Sequence, residues 1–257
     1  MTRRARWSRR ALAARVLPGL ALAALIESLV RAEALAAELA PATTDVLAQL
    51  DALCRAARRG AIDGLDWQRQ LEALLAKVDV AALLAAIRFD ALASGMSLEA
   101  GGRAERRLAG ETMAAAPVDA AFDGKLFGFG ARRAIVPHGH DSTLSAFLVL
   151  RGEFHVRHYE RLHDAPDGYV IRPTIDRVLG PGACTTISDL RDNIHWFTAR
   201  SEGAYLLNVR LAAGASARDP RRPPRRVYLD PEGAALPDGR ILAPRSSRQA
   251  LLEKYDG

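Results

Sequence analysis

Between residues 125 and 211 the chain is a succession of short runs rich in Val, Ile, Phe, Tyr and Thr, each closed by glycine or proline. Four stretches stand out. Residues 125–136 lead into a histidine pair. Residues 145–159 hold AFLVL and FHVRHY around the turn Arg151-Gly152-Glu153. Residues 169–179 read YVIRPTIDRVL and end at Pro181-Gly182. Residues 185–211 carry TTISD, IHWFTA and AYLLNVRL. β-Branched and aromatic side chains suit a pleated, half-buried surface, and turns at this spacing keep each strand short. Short strands cannot bury an apolar face alone, so they must stack as two sheets or close on themselves. The pattern predicts an all-β barrel or sandwich over residues 122–215.

The chain before that point has a different period. Alanine and leucine crowd residues 11–100. Thr43-Thr44-Asp45 offers a helix start, and Val46, Leu50, Leu53 and Ala57 recur at helical spacing up to Arg58-Arg59-Gly60. Asp63 or Asp66 can cap a second helix with Trp67, Leu71, Leu74 and Val78 on one face, and Asp79 a third with Val80, Leu83, Leu84 and Ile87. Residues 42–100 therefore read as a small helical region of three helices that packs on the barrel or pairs two chains. Residues 101–121 read as a connector with one strand, and residues 216–257 as a C-terminal extension.

The net charge of +6 invites a nucleic-acid reading, but seven arginines and two acids in residues 1–36 account for five of those charges. The remaining chain is nearly balanced, and no nucleic-acid partner is expected. The basic run from Arg218 to Arg226 is proline-rich and reads as a linker. Cys54 and Cys184 stand in different halves with no CxxC spacing, and they read as two separate thiols.

The first residues, MTRRARWSRR, are followed by an uncharged apolar run of 11 residues, Val16 to Ile26, and by the small-residue stretch AEALA at 32–36. That order is the export-signal pattern, and Arg9-Arg10 adds a twin-arginine flavour. The run is short of the roughly 20 residues that span a bilayer, so no stable membrane insertion is expected. The expectation is a periplasmic or secreted protein if residues 1–36 act as a signal, and a cytoplasmic one otherwise.

Chemistry concentrates in Pro137-His138-Gly139-His140. In a strand, residues i and i+2 face the same side, so both imidazoles enter one space. Neutral imidazole ligates Fe, Zn, Cu and Ni. A third ligand must come from a distant strand, and His195, after the turn-like Arg191-Asp192-Asn193, is the best candidate. His155 and His158 are three apart, so at most one faces the interior; His163 reads as a loop residue. Arg132 and Arg133 precede the pair, so one of them faces inward or lies at the mouth, where a guanidinium can hold a carboxylate. Arg133 and Tyr159 are the candidate catalytic groups. Trp196 alternates with His195 and should face away, into the layer between barrel and helices.

These residues resemble the cupin family. Its first motif sets a glycine before a His-x-His pair, with a glutamate and a second glycine after it; His138, His140 and Gly152 match, Gly130 stands two positions too early, and Ser145 takes the glutamate's place. The second motif keeps only His195: Leu190 and Asp192 stand at its proline and glycine, and Ala199 at its asparagine. The resemblance covers about residues 124–212 and implies a double-stranded β-helix, a jelly-roll barrel. Three histidines without a carboxylate is also the arrangement of the cysteine dioxygenase-type cupins. That likeness implies Fe(II), with Zn, Ni, Mn or Cu as other candidates, and O₂ with a small molecule, a thiol among them, as reactants. The chain departs from the dioxygenase pattern beyond the ligands: Ser145 and Arg210 stand where those enzymes carry a Cys and a Tyr, and Leu206, Asn208 and Arg210 stand where a Ser-His-Tyr relay would. Runs such as GKLFGF and RPTID are similar to exported bacterial cupins of unassigned activity. The expected assembly is a homodimer. A metal- or ligand-binding cupin without turnover and a metal-free structural barrel are the other readings.

Overall fold

The computed structural model describes residues 45–99, 101–108, 119–212 and 225–257. The expected export signal at 1–36 and most of the basic proline-rich run lie outside these residues. No helix among the described residues is long and apolar enough to cross a membrane.

The front of the chain is helical. Helix α1 occupies 45–58, followed by α2 (Gly64–Leu75), α3 (Val80–Ala86) and α4 (Phe89–Ala93). The start signals operate as the sequence implies. The Asp63 carboxylate accepts from the Asp66 N–H at 2.7 Å, and Asp79 accepts from Ala81 and Ala82 at 2.9 and 3.1 Å. Each satisfies backbone donors that a first helical turn leaves free. Gly60 closes α1 with φ +71°. One helix more is present than the periodicity announced: Arg88, at φ +51°, turns the chain and starts the short α4.

The rest is mainly β. The strands are β1 (Ala104–Arg107), β2 (Asp123–Phe129), β3 (Ala134–Asp141), β4 (Thr143–Arg151), β5 (Phe154–Ala165), β6 (Gly168–Leu179), β7 (Cys184–Ile187), β8 (Ile194–Ala199), β9 (Ala204–Ala212), β10 (Arg225–Tyr228), β11 (Ala234–Ala235) and β12 (Ile241–Pro244), with helix α5 (Arg248–Tyr255) last. One sheet runs β1-β2-β9-β4-β7 and the other β10-β3-β8-β5-β6-β12-β11. Stripped of additions at their edges, they are β2-β9-β4-β7 against β3-β8-β5-β6. This interleaving of eight consecutive strands into two four-stranded sheets is the jelly-roll order, the fold of the cupins. The expected mainly-β barrel preceded by a small helical region is what the chain forms.

Alternation along the strands separates three layers. In β9, Leu206 points into the barrel with Phe127, Phe147 and Phe197, while Tyr205, Leu207, Val209 and Leu211 point out. The outward set of the first sheet packs on Leu50, Trp67, Leu71 and Leu83 of the helices. The outer face of the second sheet is covered in part by α5, through Leu251 against Ala134 and Val136.

Four sequence readings are corrected. Residues 125–136 are two strands, not one, because Gly130 to Arg133 turn the chain between β2 and β3. His163 lies within β5 rather than on a loop, exposed on the strand. Trp196 does face away from His195, but it stacks on Tyr255 of α5 at 4.4 Å and under the Arg157 guanidinium at 4.0 Å, not on the front helices. The front helices cover the other sheet, which β8 does not join. The stretch read as an extension also takes part in the barrel wall, since β10 pairs with β3, and β12 with β6.

Leu71 is fully buried between α2 and the first sheet. Leu71→Ala is expected to cost about 2–5 kcal/mol, the transfer term plus a cavity the sheet cannot fill. A lowered midpoint in urea unfolding with an unchanged slope is the expected result.

Candidate metal centre

His138 and His140 lie on β3, and both are buried. They share a face because they are two apart, yet Ile135 also faces the interior, an odd step away. A register shift in the β3–β8 ladder between Ile135 and His138 reconciles the two. An extra residue in one strand re-aims the side chains that follow it, and Pro137, which has no N–H to give to the ladder, sits inside that irregularity. His195 on β8 is the direct partner of His138 across the ladder. The three imidazoles therefore converge, with ligand atoms all within 4.8 Å of one another. Ring centroids lie 4.2 Å apart for His138–His195, 4.9 Å for His138–His140 and 5.4 Å for His140–His195.

Neighbouring groups fix this arrangement. His138 Nδ1 lies 2.7 Å from the Val136 carbonyl, so Nδ1–H donates there and Nε2 is the ring nitrogen left to face the interior. Asn193 donates its amide to the His140 carbonyl and, at 3.2 Å, to the Ser188 carbonyl. The strand carrying the His-x-His pair is thereby tied to the turn before His195. Gly139 makes room for that tie: a Cβ there would sit 2.4 Å from Asn193 Oδ1 and 2.6 Å from Ile194 Cδ1. The turn is in turn anchored on the helical layer. Ser188 Oγ donates to Gln68 Oε1 at 2.8 Å and accepts from the Leu190 and Arg191 N–H groups, and Gln68 Nε2 donates to Thr186 at 3.1 Å. Arg191 pairs with Glu72 of the same helix.

Burial disfavours the charged form of all three histidines. It holds His138 and His195 well below their ordinary range, with the charge of His140 adding to the effect on both and that of His138 adding to it on His195, and brings His140 down to about 3, helped by Arg226, Arg210 and Arg103. Neutral imidazole is the ligating form. A transition-metal ion takes imidazole nitrogen at about 2.0–2.1 Å, so nitrogens sharing one ion lie up to roughly 4.2 Å apart. The three rings fit such an ion after small rotations. They are also the only group of three or more His, Cys, Asp or Glu among the described residues with that reach.

Beside the rings is a cavity of about 30 Å³, lined also by Phe127, Ile135, Phe147, Ser145, Asn208 and three arginines, Arg103, Arg210 and Arg226. A buried water needs roughly 10–15 Å³, so the enclosed space takes two or three water-sized groups, and a larger ligand must extend through its mouth. Ser145, at the position of the cupin glutamate, donates to the Val209 carbonyl at 3.3 Å and accepts from Asn208 at 2.8 Å.

The two candidate catalytic groups are placed elsewhere. Arg133 lies in the turn before β3, where its guanidinium is 3.4 Å from the Asp256 carboxylate and 3.5 Å from the Glu99 carbonyl. Tyr159 follows a register shift in β5 and packs with Tyr169, Ile171, Ile194 and Val227. Neither lines the histidine cavity. His158 is the inward histidine of β5. It is fully buried, its ring 6.4 Å from that of His195, with neither nitrogen hydrogen-bonded. His155 faces out and meets Asp176 and Arg157. The alternation Phe154, Val156, His158 was the available signal for His158. For Arg210 it was the alternation Leu206, Asn208, Arg210. Nothing local marks Arg103 or Arg226.

No protein-family model matches the chain, and no curated protein matches it. Solved structures do. KdgF from Halomonas sp. is 17% identical, with 47% of this chain and 81% of that one covered at a TM-score of 0.30. A recombinant oxalate oxidase in complex with glycolate is 18% identical, with 51% and 58% covered at 0.35. Procruciferin, an 11S globulin from Brassica napus, is 11% identical, with 53% and 30% covered at 0.34. Each is a partial likeness at low identity, and the site is read from its own residues.

Burial also pushes His158 down to about 3, against an ordinary value of 6.5. Between those two values the unfolded chain takes up a proton that the folded chain refuses. Stability of the metal-free protein therefore falls as pH falls through that window, by about 1.4 kcal/mol per pH unit for each histidine so buried. Urea midpoints at pH 7 and pH 5 check this. His158→Leu, which removes two unpaired buried nitrogens, is expected to raise the pH 5 midpoint and to make the decline shallower.

Proposed function

We propose that this protein is a mononuclear metal-binding cupin and that His138, His140 and His195 hold the ion, Fe(II) first among the candidates, in an oxygenase acting on a small molecule. The observation that carries this reading is the convergence of three neutral, buried imidazoles with no carboxylate beside them among the described residues. Three neutral ligands would leave a bound ion its full charge, with room for a further ligand from the cavity beside them. Ferrous iron bound there would supply Lewis acidity and the electrons that activate O₂. The chain's own contribution is orientation and exclusion. The Val136 carbonyl holds the His138 tautomer, Asn193 locks the two histidine strands together, and Phe127, Ile135 and Phe147 keep bulk water from the reacting space. The reactants are O₂ and a small molecule, with thiols the first class to try.

The small volume of the cavity favours a second reading, a cupin that binds a metal or ligand without turnover. Metal analysis of anaerobically purified protein separates the outcomes. About one iron per chain is expected, lost in His138→Ala and in His195→Ala. O₂ uptake with a panel of thiols is expected from the iron-loaded protein only. Iron without uptake favours the binding role. No metal after reloading removes the proposal.

A further inference from the structure

Among the described residues, the cavity that the three histidines open onto is lined by three guanidinium groups and by no carboxylate. They come from distant parts of the chain. Arg103 precedes β1, Arg210 lies on β9 and Arg226 on β10. Register accounts for two of them. Arg226 is the direct ladder partner of His140, so both side chains stand on one face. Arg210 is the ladder partner of Ser145. Where the cupin pattern has a glutamate, this chain thus has a neutral hydroxyl beside a cation, and the local charge is inverted.

The arginines are held rather than loose. Arg103 lies over the Phe127 ring at 4.4 Å, with its side chain 20% exposed. Its Nη2 meets Glu105 at 3.1 Å, while its Nε is buried without a hydrogen-bond partner. Arg210 Nε is likewise buried and unpartnered. Unpaired buried donors are costly, and a rigid guanidinium fork matches carboxylate oxygens. Add a divalent ion on the histidines, and the cavity concentrates positive charge that its own lining does not balance.

We infer that the cavity binds a short-chain dicarboxylate, one carboxylate gripped by Arg210 and Arg103 and the other by Arg226 at the mouth. This names a ligand class for the metal centre proposed above, in addition to the thiols to be tried there, and so rests on that reading, but the arginines can be tested without the metal. The anion supplies the negative charge that the missing glutamate does not, and the cavity admits only a short chain.

Isothermal titration of metal-free and iron-loaded protein with oxalate, malonate and succinate tests this, with malonamide and acetate as neutral and single-charge controls. At least one dicarboxylate is expected to bind the metal-free protein, more weakly as salt is raised, and malonamide not at all. Arg210→Gln and Arg226→Gln are each expected to weaken binding by about tenfold. Arg226 is exposed, so its variant is not expected to disturb folding. Arg133→Gln, in the turn before β3 and away from the cavity, should bind as the parent does. Dicarboxylates that bind no better than acetate, or equally well to both cavity variants, would overturn the inference. Metal content measured on the same samples separates its failure from failure of the metal centre. Metal without dicarboxylate binding sinks the cradle alone, and dicarboxylate binding without metal sinks the centre alone.

Discussion

The pairing of β3 with β8 is the constraint on which everything else at the centre depends. It sets His138 opposite His195 in the ladder. Side chains in a strand alternate with a period of two, so a slip of one residue would turn His195 to the outer face and bring Trp196 inside. The register is enforced from several directions. The irregularity around Pro137 lets Ile135 and His138 both face inward. The Asn193 amide, bonded to the His140 carbonyl, pins the end of one strand to the start of the other. Gly139 is the residue that admits Asn193, because any Cβ there would meet its side-chain oxygen.

That pin is only as firm as the turn that carries it, and the turn leans on the helices. Ser188 satisfies two backbone donors of the turn and gives its own proton to Gln68, a fully buried residue of α2. A buried amide and hydroxyl that satisfy each other are stable only at one distance and angle, so α2 fixes where the turn lies. The helical region thus does more than cover the apolar outer face of the first sheet. It carries no ligand, yet its contacts reach within a few residues of His195.

Electrostatics at the centre follow from burial in a basic surround. Four imidazoles are inside the barrel, and each is held neutral by the cost of charging it away from water. Neutral rings keep their lone pairs, which suits a cation. The arginines beside them repel a cation unless an anion comes too. An ion and a carboxylate ligand sharing the cavity, as proposed above, would satisfy both tendencies together. His158 stands apart, since both of its nitrogens are buried without a hydrogen-bond partner.

Local periodicity told most of what the sequence determined by itself. The caps at Asp63 and Asp79 and the alternation in β9 and β5 depend on residues a few positions apart, and backbone geometry fixes those relations before any tertiary contact forms. The same holds for the shared face of His138 and His140. Tertiary structure decided what depends on which strands become neighbours. It chose His158 over His155 for the interior, gave Trp196 the cover of α5, and sent Arg133 outward to Asp256. It also brought Arg103, Arg210 and Arg226 to the histidines from segments that look like connector, strand and linker. Those outcomes rest on sheet order and ladder register, which are set by the packing of whole faces and leave no mark at any single position.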